Sequence, residues 1–301
     1  MTAPRRSWPL HCRVALVKAI LAAADQFPHP GQDEANRIHH VRKTLKGAAG
    51  LSRLFTPFVG APAYQALNAL NAARRSVGQA RDLDVLPGVL ARLKAPTETR
   101  DILLRVIAEQ RQAVRRAHQQ TDVGGLAAEL RTLARSVEGW DAETAGAEPL
   151  LLAVRRTYRT ARRLGREAQA SRDAGDMHAV RARVVDLSHQ LAAFEPAWPA
   201  MFQAMERELR RLRKTLGDHN DLTVLAEFAR GRPELPREEA EGLIALIARR
   251  RRPLQRRASE QFSRLFAERP GAFARRLAAY LERPQHSPGA PARPPSSKAQ
   301  G

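Results

Sequence analysis

Arg74-Arg75-Ser76-Val77-Gly78-Gln79-Ala80-Arg81-Asp82-Leu83-Asp84-Val85-Leu86 returns 139 residues later as Arg213-Lys214-Thr215-Leu216-Gly217-Asp218-His219-Asn220-Asp221-Leu222-Thr223-Val224-Leu225. At the same offset His39-x-x-Arg42 falls on His178-x-x-Arg181, Val41 on Val180, Phe55 on Phe194 and Pro57 on Pro196. So many coincidences at one gapless offset point to an internal duplication. The seam falls in the Gly- and Pro-containing stretch from Gly139 to Pro149, which divides the chain into a half at about 8–140 and a half at about 148–283.

Outward from these motifs, apolar residues recur at intervals of three and four, and alternating β-branched runs are missing. Pro and Gly gather between such segments, for example at Pro28–Gly31, Pro57–Pro62, Pro196–Pro199 and Gly231–Pro236. The expected fold is all-α, two pseudo-symmetric four-helix bundles with a basic central cleft. Helices are expected near 11–27, 34–55, 62–90 and 98–120, with a shorter one near 125–138. The second half repeats them near 150–170, 176–194, 199–229 and 237–267, with a shorter one near 271–282. Pro253 should kink the fourth of these. Residues 1–285 read as a single domain, and 286–301, rich in Pro, Ser and Ala, as a disordered tail.

The formal charge is +20 over 301 residues, carried by 51 Lys and Arg of which only six are Lys. That surplus calls for an acidic partner: nucleic acid, an anionic membrane or a phosphate polymer. Arginine suits phosphate, because its planar fork meets two oxygens at once. Genomic base composition also favours Arg over Lys in some chains, but it leaves the net charge unexplained. The single cysteine, Cys12, excludes a disulfide framework and a thiolate metal cluster and fits a reducing cytosol. No apolar run reaches the roughly 18 residues of a membrane span. Arg5, Arg6 and Arg13 with no acid before Asp25 faintly resemble a transit peptide. The spacing of Val14, Val17, Ile20 and Leu21 favours an ordinary first helix instead.

Candidate binding residues come from the repeated segments. On the helix at 34–55, His39, Arg42, Lys43, Lys46 and Arg53 share one face, beside an apolar stripe of Ile38, Val41, Leu45 and Ala48. Such cations repel by a few tenths of a kcal/mol per pair, so something outside the helix should compensate. A solvated basic face is the plain alternative, weakened by the return of the same His and Arg in the second half. There, His178 and Arg181 are expected to form a groove with a stripe of Arg155, Arg159, Arg162, Arg163 and Arg166 on the preceding helix. Histidine among clustered cations should have a lowered pKa, raised again by a bound phosphate. The alternative for each is a core histidine satisfied by a neighbour. Asp82 and Asp221 read as structural, tying down an Arg or capping a helix. His178, Asp186, His189, Asp218, His219 and Asp221 are possible metal donors, but their spacing matches no metal motif. Nothing resembles a P-loop, a nucleophile elbow, an HExxH helix or a dinucleotide fingerprint. Catalysis and cofactors are therefore not expected.

These motifs together resemble the CHAD family, the conserved histidine α-helical domain. His39-x-x-Arg42-Lys43-x-Leu45-Lys46 is similar to its first signature, and Gly78-x-x-Arg81-Asp82-Leu83-Asp84-Val85-Leu86 to its second. Glu268-Arg269-Pro270-Gly271-Ala272-Phe273 also fits. The resemblance implies two pseudo-symmetric helical bundles around a basic channel for inorganic polyphosphate, and association with polyphosphate granules in the cytoplasm. Carried over by position, its binding residues would be His39, Arg42, Lys46, Arg74, Arg81, Arg159, Arg162, His178, Arg181 and Arg213, with Lys214 beside the last. Ala182, Val185, Ser188 and Gly47 depart from the family's basic pattern. They leave the stripe from Arg155 to Arg166 more of the expected task. The fused triphosphatase motif E-x-E-x-K is absent, so the expected function is non-catalytic binding of polyphosphate. The alternatives are a nucleic-acid or nucleoid-associated protein, favoured by charge alone, and a metal-dependent protein acting on phosphoanhydrides.

Overall fold

In the computed structural model, residues 7–27, 34–77, 79–118, 123–171 and 173–282 are described. Among them there are eleven α-helices and no strands. The first half supplies α1 (Trp8–Asp25), α2 (Glu34–Ser52), α3 (Ala61–Ser76), α4 (Gln79–Leu93), α5 (Thr97–His118) and α6 (Val123–Glu138). The second supplies α7 (Glu148–Ser171), α8 (Ala174–Ala192), α9 (Pro199–Arg230), α10 (Arg237–Leu265) and α11 (Pro270–Glu282), with a single 3-10 turn at Glu195–Ala197. The tail expected at 286–301 lies outside the described residues.

Local chemistry explains the boundaries. Ser7 caps α1, its hydroxyl accepting from the Leu10 amide, with proline in the first turn. Asp173 caps α8 by accepting from the amides of Gly175 and Asp176 at 2.6 and 3.3 Å. Gly60 opens α3 at a φ of 70°, a conformation that favours glycine. The helix expected at 62–90 is two, α3 and α4, because Ser76, Val77 and Gly78 are weak helix formers. Their counterparts Thr215, Leu216 and Gly217 sit within the continuous α9. There α8 and α10 pack on either side, and tertiary contacts override the local preference. Likewise α10 runs helical through Pro253.

Neighbours repeat between the halves. α1 packs on α2 and α6 as α7 packs on α8 and α11; α2 meets α3 as α8 meets α9; α4 meets α5 as α9 meets α10. Across the halves α2 crosses its own counterpart α8, and α4 lies on the end of α9, its counterpart. The apolar interior, however, does not divide half by half. One large cluster takes in α1, α2, α3, α6, α7, α8 and α11, the first part of α9 and the last part of α10. A smaller one is built from α4, α5, the last part of α9 and the first part of α10. Each core thus mixes both halves, and α9 and α10 run through both.

Aromatic stacking closes the larger core at the C-terminal end. The Tyr158 ring stacks on Phe273 with centroids 4.0 Å apart, and Phe262 stacks on Phe266 at 4.5 Å. The Trp8 indole donates to the Leu281 carbonyl, tying α1 to α11. α7 meets α10 at Gly165, where a Cβ would come within 2.0 Å of the Phe262 ring. Alanine there should destabilise the fold by about 1–3 kcal/mol through overpacking, despite its better helix propensity. Gly242 in α10 faces nothing within 4 Å, so Gly242→Ala should stabilise by up to about 1 kcal/mol. Urea unfolding of both variants checks the pair, and equal effects would mean that the α7–α10 contact is loose.

Candidate functional site

The site forms where α2 crosses α8. Gly47 and Gly50 let the two backbones approach: a Cβ on Gly47 would lie 3.4 Å from the His189 ring, and one on Gly50 3.1 Å from the His189 Cβ. The Gln190 side-chain amide donates to the Gly50 carbonyl at 3.3 Å and locks the crossing. In the repeat register Gly50 is the counterpart of His189, and Gly47 of Asp186. The residues that meet are thus each other's mates or near-mates.

On either side of this crossing lies a cavity of about 310 Å³. Arg42, Lys46, Arg181 and Val185 line both and join them. The first is completed by Arg53, Asn71, Arg74, His178, Arg183, Asp186, Asn220 and Asp221, with Val85 reaching in from α4. The second is completed by Lys43, His189, Arg210, Arg213 and Lys214. Among the described residues, the two linings together hold ten Lys and Arg against two acids, Asp186 and Asp221. The halves exchange roles as a two-fold relation requires: Asn71 and Arg74 of α3 wall one cavity, and their counterparts Arg210 and Arg213 of α9 wall the other.

Two acids position the guanidiniums, the buried Asp186 and the half-buried Glu206. Asp186 takes ion pairs from Arg53 and Arg183, both at 3.0 Å, with only 11% of its side chain exposed. Burial raises its carboxyl pKa, and Arg53, Arg183 and Arg74 act against that. Glu206 accepts the Ser188 hydroxyl proton in a short hydrogen bond, while Arg213 donates to Ser188 at 2.8 Å and lies 3.6 Å from Glu206. Burial lowers the pKa of both Arg53 and Arg213, with Asp186 and Glu206 opposing it. The Arg42 guanidinium donates to the Arg74 carbonyl at 3.4 Å, in the last turn of α3 where the helix dipole favours a cation. His178 stays exposed, its Nδ1 2.6 Å from the Asn220 side-chain oxygen. Lys214 pairs with Asp218 one turn on, at 2.8 Å.

Of the expected residues, the structure brings together Arg42, Lys43, Lys46, Arg53, Arg74, His178, Arg181, Arg213 and Lys214. The side chains of His39 and Arg81 lie outside the described residues. The arginine stripe of α7 stands apart: Arg155, Arg159, Arg162, Arg163 and Arg166 line neither of these two cavities. α7 turns its apolar side to α8 and α11, so its arginines are held away from the crossing. Arg162 instead donates to the Phe266 carbonyl at the end of α10, 2.9 Å away, and Arg163 pairs with Glu167 at 2.7 Å. Asp221 lies inside α9 and so does not cap that helix.

Sequence reasoning missed Arg183, Arg210 and His189 as wall residues, and Asp186 as their organiser. The signal was faint: Arg183 is two residues from Arg181, which reads as the opposite side of a helix, yet both reach the broad cavity. Burial first, and then Arg213, Lys43 and Lys46, lower the His189 pKa to about 4. The buried His219 falls to about 4 as well, through burial and Arg251. Its Nε2 accepts from the Arg251 Nε at 3.4 Å, and its Nδ1 has no partner. Among the described residues no three His, Cys, Asp or Glu stand together as a metal group. No helix among them is long and apolar enough to cross a membrane.

These histidines set a pH dependence. Both are neutral in the fold and charge more readily when unfolded, so the unfolded chain binds more protons between about pH 6.5 and 4. Stability is therefore full above pH 6.5 and falls toward pH 4, by at most about 3 kcal/mol per histidine. Urea titrations across that range should show a shallower slope for His189→Asn; an unchanged slope would exclude His189 from the linkage.

Comparisons with known proteins bear on the family and the fold. The CHAD domain family model matches residues 15–230. The crystal structure of the CHAD domain from the plant Ricinus communis shares the fold, with a TM-score of 0.56 at 18% identity, covering 95% of this chain and 94% of that one. No curated protein matches the sequence. With well over half of its length matched by the family model, and with an all-helical fold of the same kind, this chain belongs to the CHAD domain family.

Proposed function

We propose that the protein binds inorganic polyphosphate, without catalysis, in the trough formed by the two joined cavities. One observation carries the reading: among the described residues, ten Lys and Arg wall a continuous concavity against two acids, both on one side. Cations that repel one another in the empty site are neutralised together by a flexible chain with a charge on every unit. Guanidiniums held by Asp186 and Glu206 are already oriented, so little side-chain entropy is lost on binding. Family membership supports the same ligand class. The repeated motifs and the repeated helix neighbours support an origin by duplication, with the ligand at the pseudo-axis. A cytoplasmic location on polyphosphate granules follows from the ligand as part of the proposal.

The trough also explains why the family's basic pattern can lapse at Gly47 and Val185. Gly47 is needed for the close crossing, and Arg183 and Arg210 add cations elsewhere on the walls. His189 adds a neutral imidazole to the trough at neutral pH, where a bound phosphate favours its protonation.

Lys46→Gln with Arg181→Gln, which alters both cavities at once, should weaken binding of long-chain polyphosphate by more than about tenfold at 0.15 M salt. Circular dichroism should show unchanged helicity. Titration at two salt concentrations should give a log–log slope of about −0.7 for each phosphate neutralised, as for a single flexible strand. Weak binding with a slope near zero, or loss of helicity in the double variant, would count against the trough as the binding site. Displacement of labelled polyphosphate from it by duplex DNA at equal phosphate concentration would count against the ligand.

A further inference from the structure

The arginines that the trough leaves out form a second surface. Arg155, Arg159, Arg163 and Arg166 of α7 are all exposed and recur at about every turn, along roughly 16 Å of helix. Among the described residues Arg163 alone of the four has an acidic partner, Glu167. Like charges one turn apart destabilise a helix, so the stripe lacks internal compensation.

α10 extends the patch. Tyr158 donates to the Leu265 and Glu268 carbonyls, Gly165 faces Phe262, and Gln169 donates to Ser259 and Ser263. The two helices therefore run antiparallel at this seam. At about 100° per residue, Arg159 and Arg166 lie roughly a quarter-turn past the contact face of α7, and Arg256 lies similarly past that of α10. Because the helices are antiparallel, the same sense of rotation brings both sets to one side. Arg256 is likewise exposed and without an acidic partner among the described residues.

We propose that this outer α7–α10 face binds the phosphate backbone of double-stranded nucleic acid, independently of the trough. A rigid duplex cannot enter cavities of about 310 Å³, but an open, convex row of guanidiniums suits it. Single strands need aromatic platforms for their bases, and α7 and α10 expose no aromatic residue among those described. An interfacial membrane helix needs an apolar face beside its basic one, and here only Leu152 is exposed. Contacts of this kind read no sequence.

The test uses the full chain and a fluorescein-labelled 20-base-pair duplex DNA of mixed sequence, followed by anisotropy at two salt concentrations. Combined Arg155→Gln, Arg159→Gln and Arg166→Gln should weaken duplex binding by more than about tenfold. The same change should flatten the salt slope by about 0.9 for each arginine that meets a phosphate. Polyphosphate affinity should stay within about twofold. The trough variant with Lys46 and Arg181 replaced should do the reverse, so failure of either site is separately visible. Replacing the three α7 arginines with lysine should restore duplex binding and shows that charge, not folding, is lost in the glutamine variant. Duplex affinity that survives the glutamine variant, that falls only in the trough variant, or that is surpassed by binding to phosphatidylserine vesicles through the same arginines would overturn the proposal.

Discussion

A buried carboxylate between guanidiniums is the contact on which the site depends. Asp186 sits at the crossing of α2 and α8 with Arg53 on one side and Arg183 on the other, both at 3.0 Å. Without it, cations from two helices would face each other in a poorly hydrated cleft, where their repulsion is far stronger than in water. One acid in such a place does not neutralise the surroundings. It anchors part of the positive wall and leaves the wall with a surplus of Lys and Arg over acids among the described residues, which is the electrostatic condition for receiving an anion. Glu206 acts likewise on Arg213 through Ser188 on the other side of the crossing.

The crossing is itself possible because side chains are missing. Gly47 and Gly50 bring α2 against His189 and Asp186, and Gln190 donates to the Gly50 carbonyl. Where α2 packs on α8, segments that match at the 139-residue offset meet, and basic helices meeting in this way repel. Here the second half has Asp186 and His189 where the first has Gly47 and Gly50. This difference between the halves relieves both the steric and the electrostatic conflict at the crossing. His189 contributes by remaining neutral among cations, a consequence of burial before it is one of charge.

The division of the core has a related logic. Neither half has a hydrophobic core of its own; the larger and smaller clusters both draw on α9 and α10 from the second half and on helices of the first. Between Ile247 and Ala258, α10 buries no apolar side chain, and this stretch carries Arg249 to Arg252, Arg256 and Arg257. A helix can cross such a gap because its backbone hydrogen bonds are internal. Of the two helices that span both cores, α9 also walls the trough, so the packing that stabilises the fold holds that wall in place.

Much of this was legible in the sequence. Period and punctuation gave the helices, since an apolar stripe needs a partner and Pro and Gly fall where helices end. The offset of 139 residues gave the paired motifs, and with them Arg42, Arg74, His178, Arg181 and Arg213 as residues of one site. Three features were decided only by the tertiary structure. The break between α3 and α4, against the continuity of α9, depends on neighbours that hold one segment and not the other. The displacement of the α7 arginines depends on which side of α7 packs against α8 and α11, and one helix's own pattern cannot say what lies opposite. The roles of Asp186, Arg183 and His189 depend on a contact between residues far apart in the chain. Sequence periodicity determines which side chains share a face, because the helix repeat is a local property. Which faces meet, and therefore which charges are left without counter-ions, is set by packing between distant segments.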